Sequence, residues 1–301
     1  MTKARPRMGV GVPVFNGERF LAETLDSLLA QSYEDFVLII GDNASTDRTE
    51  EIARAYAARD PRIEYVRHSR NIGAARNYND LFHRAGTEYF RWHASDDLSL
   101  PEYTARCVDV LDSDPGVVLA YCKTLDIDQE GHEIGPYEDR VDAQQEHARD
   151  RFLHVMTVLE RCNAIYGVMR SALVARTRLM ETFVASDRCF MAELALYGKI
   201  AELPARLFLR RYHTGASSAM TDEERRTFFS GQPAAPTLRT LRHWWAYWSA
   251  ILRAPLSVAE TSRLQVDMLR RAYWGKGLML QEAAKVLRYR LGIGTPVSGG
   301  A

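Results

Sequence analysis

The chain is sparing in the features that most often assign a protein at sight. It has four cysteines in 301 residues, Cys107, Cys122, Cys162 and Cys189. No two stand at CxxC spacing, so zinc-ribbon and redox-motif readings have no support. So few thiols, scattered along the chain, fit a reduced compartment, and a cytoplasmic protein is the expectation. Neither sign of charge dominates: 39 Lys+Arg against 39 Asp+Glu leave a formal net charge of +0. No global field then favours nucleic acid or an anionic membrane. There is no run of about 20 apolar residues, and no spanning helix is expected. The first eight residues are polar and basic, and the apolar GVGV that follows meets Pro13 too soon to be a signal-peptide core. Repeats and low-complexity tracts are lacking. So is a GxGxxG loop, which removes an NAD-linked oxidoreductase. What is present, 46% hydrophobic and 26% charged residues, is the balance of a globular chain with a sizeable core.

Periodicity supplies the architecture. Residues 8–14 are short, apolar and β-branched, a buried strand closed by Pro13 and the turn signal Asn16-Gly17. Residues 18–31 set Phe20, Leu21, Thr24, Leu25, Leu28 and Leu29 at helical spacing. FVLII (36–40) is a second strand, stopping at Gly41-Asp42-Asn43. Asp47 with Glu50 reads as a capping box for a helix reaching about residue 58. A third strand at 63–66, a helix at 74–84 after Asn71-Ile72-Gly73, and a fourth strand at 89–93 follow. This alternation predicts an α/β fold with a mostly parallel sheet flanked by helices. Beyond it, 117–126 and 200–210 read as strands, 165–169 as strand-like, 129–146 as loop, and 151–161 and 187–197 as helices. Residues 221–291 read as helical and carry WWAYW at 244–248.

In parallel sheets ligands sit beyond the carboxyl ends of the strands, and right-handed crossovers bring those ends to one edge. Four successive strand ends here carry polar groups: Asn16, then Asp42, then Arg70 and Asn71, then Asp96 and Asp97. Adjacent carboxylates after a strand suit Mg²⁺ or Mn²⁺ carrying a diphosphate, though Asp is equally at home as a helix N-cap. Asp42 is placed to accept from the N3–H of a uracil or thymine, or to make a plain Asx turn. Arg70 suits a base or phosphate, and Asn71 and Gly73 would let backbone approach a ligand; the alternative is a solvated turn. His213, after a strand, is a candidate metal ligand. Asp187 is a candidate general base or a helix cap.

These residues, in this order, resemble the family 2 glycosyltransferases of GT-A fold. The resemblance lies in VPVFNGERFLAETLDSLLAQSYEDFVLIIGDNASTDRT, RNIGAARNYN and ASDD, covers roughly residues 8–125, and extends more loosely through ASDRCFMAELALYGKIAELP and RRYH. It implies transfer of a sugar from a nucleotide diphosphate donor with inversion at the anomeric carbon, helped by Mn²⁺ or Mg²⁺. Pro13, Val14 and Asn16 then match the nucleotide-contacting strand end, Glu18 an acidic position near the donor, Asp42 the base-binding aspartate, and Arg70 a nucleotide contact. Ser95 and Asp96 match the last two positions of the DXD motif, with Asp96 the metal–diphosphate ligand and Asp97 beside it. Asp187 matches the catalytic base, and His213 the histidine that completes the metal site in some members. The motif's first aspartate is replaced by Ala94, leaving His93 or backbone to meet the ribose, and Ser186-Asp187 stands where Glu-Asp is more usual.

The resemblance implies a catalytic domain over 1–220, its nucleotide-binding half about 1–125 and its acceptor-binding half about 126–220, with a helical region over 221–301. The acceptor (glycan, lipid-linked sugar, small molecule or peptide) is left open, and no nucleic-acid partner is expected. The aromatics at 244–248, among Arg239, Arg242, His243 and Arg253, suit core packing, a homodimer, or peripheral contact with the inner face of a membrane. A sugar-nucleotide-forming nucleotidyltransferase would want a Gly-rich basic loop after the first strand, where VPVFNGERF has one Gly and one Arg. A non-catalytic nucleotide-sugar-binding protein would have no use for both Asp96 and Asp187.

Overall fold

The computed structural model describes residues 5–217, 219–232 and 237–291. Its first half alternates β1 (Met8–Val14), α1 (Leu21–Leu29), β2 (Phe36–Asp42), α2 (Thr49–Arg59), β3 (Ile63–Arg67), α3 (Ala74–Ala85) and β4 (Tyr89–Trp92). Then come β5 (Leu98–Ser99), α4 (Tyr103–Ser113), β6 (Val117–Ile127), β7 (Glu133–Tyr137), α5 (Ala148–Val158), a 3₁₀ turn (Asn163–Tyr166), β8 (Val168–Arg170) and α6 (Ser171–Val174). The chain continues with α7 (Ser186–Ala195), β9 (Lys199–Arg211), α8 (Asp222–Ser230), α9 (Arg239–Arg253) and α10 (Val258–Arg290).

One sheet runs β3-β2-β1-β4-β8-β6-β9-β5, with β7 on β6. The first four strands are parallel. Antiparallel β8 joins them to β6, which pairs parallel with β9. The sheet is therefore mixed, parallel in its N-terminal half, as in a GT-A-type fold. Residues 129–146 depart from the expected loop: β7 forms a hairpin with β6. Gly135 and Pro136 hide that strand from propensity, since both are poor strand formers and Pro is tolerated on an edge.

Strand alternation sorts the core into two layers. Met8, Val10, Val12 and Val14 of β1 pack with Leu21, Leu25 and Leu28 of α1 and with Cys107 and Leu111 of α4. The other face of β1 shows Gly9 and Gly11. A Cβ on Gly11 would come within 2.9 Å of Phe90 Cζ and 3.0 Å of Leu81 Cβ, so the bare backbone is what lets α3 lie close on the sheet. That second layer also holds Phe152, Phe190, Ala250, Ile251, Leu264 and Met268, so the C-terminal helices α9 and α10 share the core of the sheet domain.

Two local readings are corrected. α1 starts at Leu21 rather than 18, because Gly17 O accepts from both Phe20 N and Leu21 N in a tightened turn. Asp47 makes no capping box: α2 begins at Thr49 after Arg48. Asp47 Oδ1 instead accepts from Thr49 N (3.0 Å) and Oδ2 from Glu18 N (3.0 Å).

Candidate active site

β1 ends on Val14, and Asn16 then turns the chain in a left-handed conformation, φ 53°, which Asn tolerates better than most residues. Asn16 Oδ1 accepts from Thr46 N (2.8 Å), and Asn16 N donates to Ser45 Oγ (2.9 Å). The ends of β1 and β2 are thereby tied together. They form one wall of a cleft of about 500 Å³ whose lining includes Pro13, Val14, Asn16, Asn43, Asn71, Ser95, Asp96 and His213.

Asp96 and His213 meet here. His213 Nε2 lies 2.9 Å from Asp96 Oδ2. The pairing of β5 with β9 (Leu98 opposite Leu209) brings the two residues together. Phe20 packs on the His213 ring at 4.7 Å between centroids. Arg211 Nε donates to Asp96 O (3.0 Å), and Arg211 Nη2 to Glu23 Oε2 (2.8 Å). Among the described lining residues Asp96 is the one carboxylate.

Asp97, the next residue past the bend at Ser95 and Asp96, faces the other way. It is buried, does not line the cleft, and its Oδ1 accepts from Arg211 N (2.8 Å). Burial, then the neighbouring Asp96 charge, push its pKa well above the usual carboxylate range, against the pull of Arg210 and Arg211. Named from the sequence as a metal ligand, Asp97 here stands outside the cleft lining and holds the end of β9 to the start of β5.

Asp42 is likewise placed beneath the cleft. It is fully buried, with Oδ1 accepting from Ser45 N (2.8 Å) and Oδ2 from Tyr65 OH (2.7 Å) and Arg67. Burial pulls its pKa up, but these bonds outweigh it and hold the carboxylate below its ordinary range. Named from the sequence as the base-binding aspartate, Asp42 stands outside the cleft lining here, with these three donors around it. Asn43, the next residue, lines the cleft and ties itself to the following strand end: its Nδ2 donates to Asn71 Oδ1 (3.0 Å) and its Oδ1 accepts from Ile72 N (2.8 Å).

Four further residues named from the sequence lie outside the cleft lining. Glu18 is exposed, outside the lining, and accepts from Arg48 N (3.0 Å). Arg70 is exposed outside the lining, whereas Arg19 is inside it. Gly73 (φ 85°) admits another piece of the chain: its missing Cβ would lie 2.5 Å from Gly231 N, just after α8. Arg76 strengthens that contact by donating to Ser230 O (3.0 Å). α8 thus sits on the start of α3 and presents Phe228 to the cleft. His93, considered for the ribose, is buried with Nε2 3.0 Å from Ser99 Oγ, and burial beside Arg91 lowers its pKa to about 3. It is neutral and does not line the cleft.

Asp187 sits in the first turn of α7, where the helix dipole favours its charge. It lines a smaller cavity of about 140 Å³ with Cys162, Met180, Arg210 and Phe229. Ala74, Tyr78, Tyr166, Ser217 and Phe228 border both cavities, so the two are neighbours across the Tyr78–Tyr166 pair, whose hydroxyls are 3.4 Å apart. Burial raises the Asp187 pKa, against the Arg188 backbone N–H and charge.

Sequence reading missed Phe20, Arg19, Asn43, Tyr78, Tyr166, Arg211 and Phe228. Arg211 adjoins the RRYH motif and Asn43 adjoins Asp42, so proximity was a usable signal for them. The two tyrosines belong to a helix and a 3₁₀ turn that only the fold brings together.

The N-terminal half of this architecture recurs in known proteins. The family model for glycosyl transferase family 2 matches residues 9–173. An uncharacterized glycosyltransferase of Rickettsia typhi is 33% identical over 130 residues, which is 43% of this chain and 40% of that protein. The putative glycosyltransferase EpsE of Bacillus subtilis is 37% identical over 108 residues, 36% of this chain and 39% of that one. The matches thus span about two fifths of these relatives' length. Among solved structures, S. aureus TarS 1-349 in complex with UDP-GlcNAc superposes with a TM-score of 0.67 at 19% identity, over 89% of this chain and 72% of that one. The mannosyltransferase PcManGT from Pyrobaculum calidifontis, in complex with GDP-Man and Mn²⁺, gives 0.55 at 20% identity, over 94% and 88%. The matched segment holds more than half of the residues and every strand end of the parallel half-sheet, Asp96 included, and on that ground the chain belongs to glycosyl transferase family 2.

Proposed function

We propose that this chain is an inverting, divalent-metal-dependent glycosyltransferase. It moves a sugar from a nucleotide diphosphate donor, UDP or dTDP favoured, to an acceptor hydroxyl in glycan, cell-envelope or natural-product biosynthesis. The observation that carries the reading is the meeting of Asp96 and His213 (2.9 Å) at the strand-end cleft, with Asp187 in the adjoining cavity. That TarS is solved with UDP-GlcNAc and PcManGT with GDP-Man and Mn²⁺ supports it. Residues 1–220 form the catalytic unit in this reading, and its setting is the cytoplasm.

The donor set fits Mg²⁺ or Mn²⁺. Asp96 offers a hard oxygen and His213 an imidazole nitrogen from one wall of the cleft, and among the described residues no three His, Cys, Asp or Glu side chains gather round one point. Such ions commonly accept one or two protein ligands and complete their shell with water and phosphate. Bound there, the ion would offset charge gathering on the departing diphosphate. The protein's own groups do the rest. Pro13, Val14 and Asn16 seat the nucleoside, Asn71 offers an amide to a carbonyl-bearing base, and Arg19 adds a cation to the same cleft. Asp187 takes the acceptor proton as that oxygen attacks the far face of the sugar. No second acid is required, because the nucleotide diphosphate leaves readily.

Thermal unfolding with UDP, dTDP or GDP, each with and without Mn²⁺, tests the donor. A pyrimidine diphosphate at a hundredfold excess over Kd should stabilise the protein by about 2.7 kcal/mol, and only with the metal. A shift with GDP alone, or one indifferent to Mn²⁺, would refute the donor assignment.

Asp97→Asn separates the adjacent carboxylates. The amide oxygen still accepts from Arg211 N, and no metal ligand is lost. Metal-dependent nucleotide affinity should stay within about threefold of the parent, ~0.6 kcal/mol. The pKa of Asp97 is raised in the fold, so between its unfolded and folded values the native state binds more protons, and stability falls as pH rises. The Asn variant should therefore melt no lower than the parent at neutral pH. A tenfold affinity loss would restore Asp97 to the metal site.

A further inference from the structure

The cleft makes no use of the outer surface of α10. This helix runs for 33 residues, and Leu264 and Met268 are its buried positions. Trp244 Nε1 of α9 donates to Met268 O (3.1 Å), and Thr240 donates to Glu282 through N and Oγ1 (2.8 Å each). Those contacts fix which face of α10 turns inward. At 3.6 residues per turn, the line opposite that face is Val266, Leu269, Tyr273, Leu280, Leu287 and Leu291. All six are exposed, Tyr273 at 62% and Leu280 at 70%. Gly277 and Ala284 fill the intervening positions, so no charge interrupts the line. It extends for about 38 Å.

Cations border it. Arg270 and Arg288 lie along one side and Lys276 along the other, with Lys276 Nζ 3.8 Å from the centroid of the Tyr273 ring. Trp274, 83% exposed, sits on the Arg270 side. Residues 239–291 hold ten Lys/Arg and three Asp/Glu, a net +7; because the whole chain sums to zero, the remainder carries −7. A neutral total thus conceals a polarised molecule.

We propose that this face of α10 seats in the surface of an anionic lipid bilayer, lying in the plane of the interface. An apolar line flanked by Lys and Arg, with Trp and Tyr at its border, suits the headgroup boundary, where aliphatic side chains enter the acyl region and cations meet lipid phosphates. An exposed apolar strip of this length calls for an occupant. A second copy is disfavoured by charge: an isologous dimer through this face would press the same bordering cations, Arg270, Lys276 and Arg288, on one another. Among the described residues no helix is long and apolar enough to cross a membrane, so α10 lies on the bilayer. The inference stands apart from the sugar-transfer reading, since it needs neither the cleft nor an acceptor.

Co-sedimentation of the full chain with vesicles is the test, using phosphatidylcholine alone and phosphatidylcholine mixed equally with phosphatidylglycerol. Binding to the anionic vesicles should be at least tenfold tighter than to the neutral ones. The double variant Leu280→Glu, Leu287→Glu should lose at least tenfold of it while keeping the parent's melting temperature, as both positions face solvent. Equal binding to both vesicles, none to either, or an unaffected double variant overturns the proposal. So does light scattering that shows a lipid-free dimer which the double variant converts to monomer, for the face would then belong to a second copy.

Discussion

Asp187→Asn is expected to lower kcat by about 10²–10⁴-fold while leaving nucleotide affinity nearly unchanged. The two effects separate because Asp187 lines the smaller cavity beyond the Tyr78–Tyr166 pair and not the cleft that holds Asp96. A base is needed only as the acceptor oxygen attacks, so its loss falls on kcat rather than on donor binding. Burial raises the Asp187 pKa, and only the ionised form can accept a proton. The acid limb of the kcat profile should therefore lie above the ordinary carboxylate range, with turnover falling as pH drops through it, and the Asn variant should lose that limb. The linkage also runs in a useful direction. With the folded pKa above the unfolded one, the native state holds more protons in that window and stability declines as pH rises. Removing the carboxyl removes this cost, so the variant should melt no lower than the parent and lost turnover cannot be ascribed to unfolding. A variant with full turnover, or an unchanged acid limb, would show that another group takes the proton.

Asp96→Ala should reduce kcat/KM by about 10³-fold or more and abolish the Mn²⁺-dependent part of nucleotide stabilisation. Asp96 is the one carboxylate among the described residues that line the cleft, and Asp97 is committed to the Arg211 backbone, so no neighbour can substitute. A metal's contribution to charge stabilisation is several kcal/mol, and each 1.4 kcal/mol is a decade in rate. His213→Asn should weaken the same metal dependence with a smaller loss, because the carboxylate remains. Manganese titrations of both variants, read by thermal shift with UDP present, check this. Retention of metal-dependent binding in Asp96→Ala would move the ion elsewhere.

Much of the fold was readable because its signals are local. β1 to β4 and the helices between them show as short apolar runs alternating with 3.6-residue periodicity, and β1 spans the expected 8–14. β7 was not readable, since Gly135-Pro136 reads as a turn until β6 supplies a partner. The candidate site was legible as a set of strand ends and less so as a set of side chains. At a strand end the neighbours' hydrogen bonds decide which side chain meets the cleft. Asp96 lines it while Asp97 is held by Arg211 N, and Asn43 lines it while Asp42 is held by Ser45, Tyr65 and Arg67, a division the sequence does not state. The resemblance favoured Asp42 and Arg70, whereas the cleft lining holds Asn43 and Arg19.

By itself the sequence determined the alternation of strands and helices and the polar character of the strand ends, since hydrophobic period and turn chemistry act over a few residues. The tertiary structure decided what those ends present. Asp42 is turned from the cleft by Tyr65 and Arg67 on a neighbouring strand. His213 reaches Asp96 across 117 residues only because β9 returns beside β5. The exposed line on α10 exists only because α9 takes the opposite face. Each of these outcomes is a choice between faces of an element, and a face acquires its meaning from packing partners that are remote in the chain.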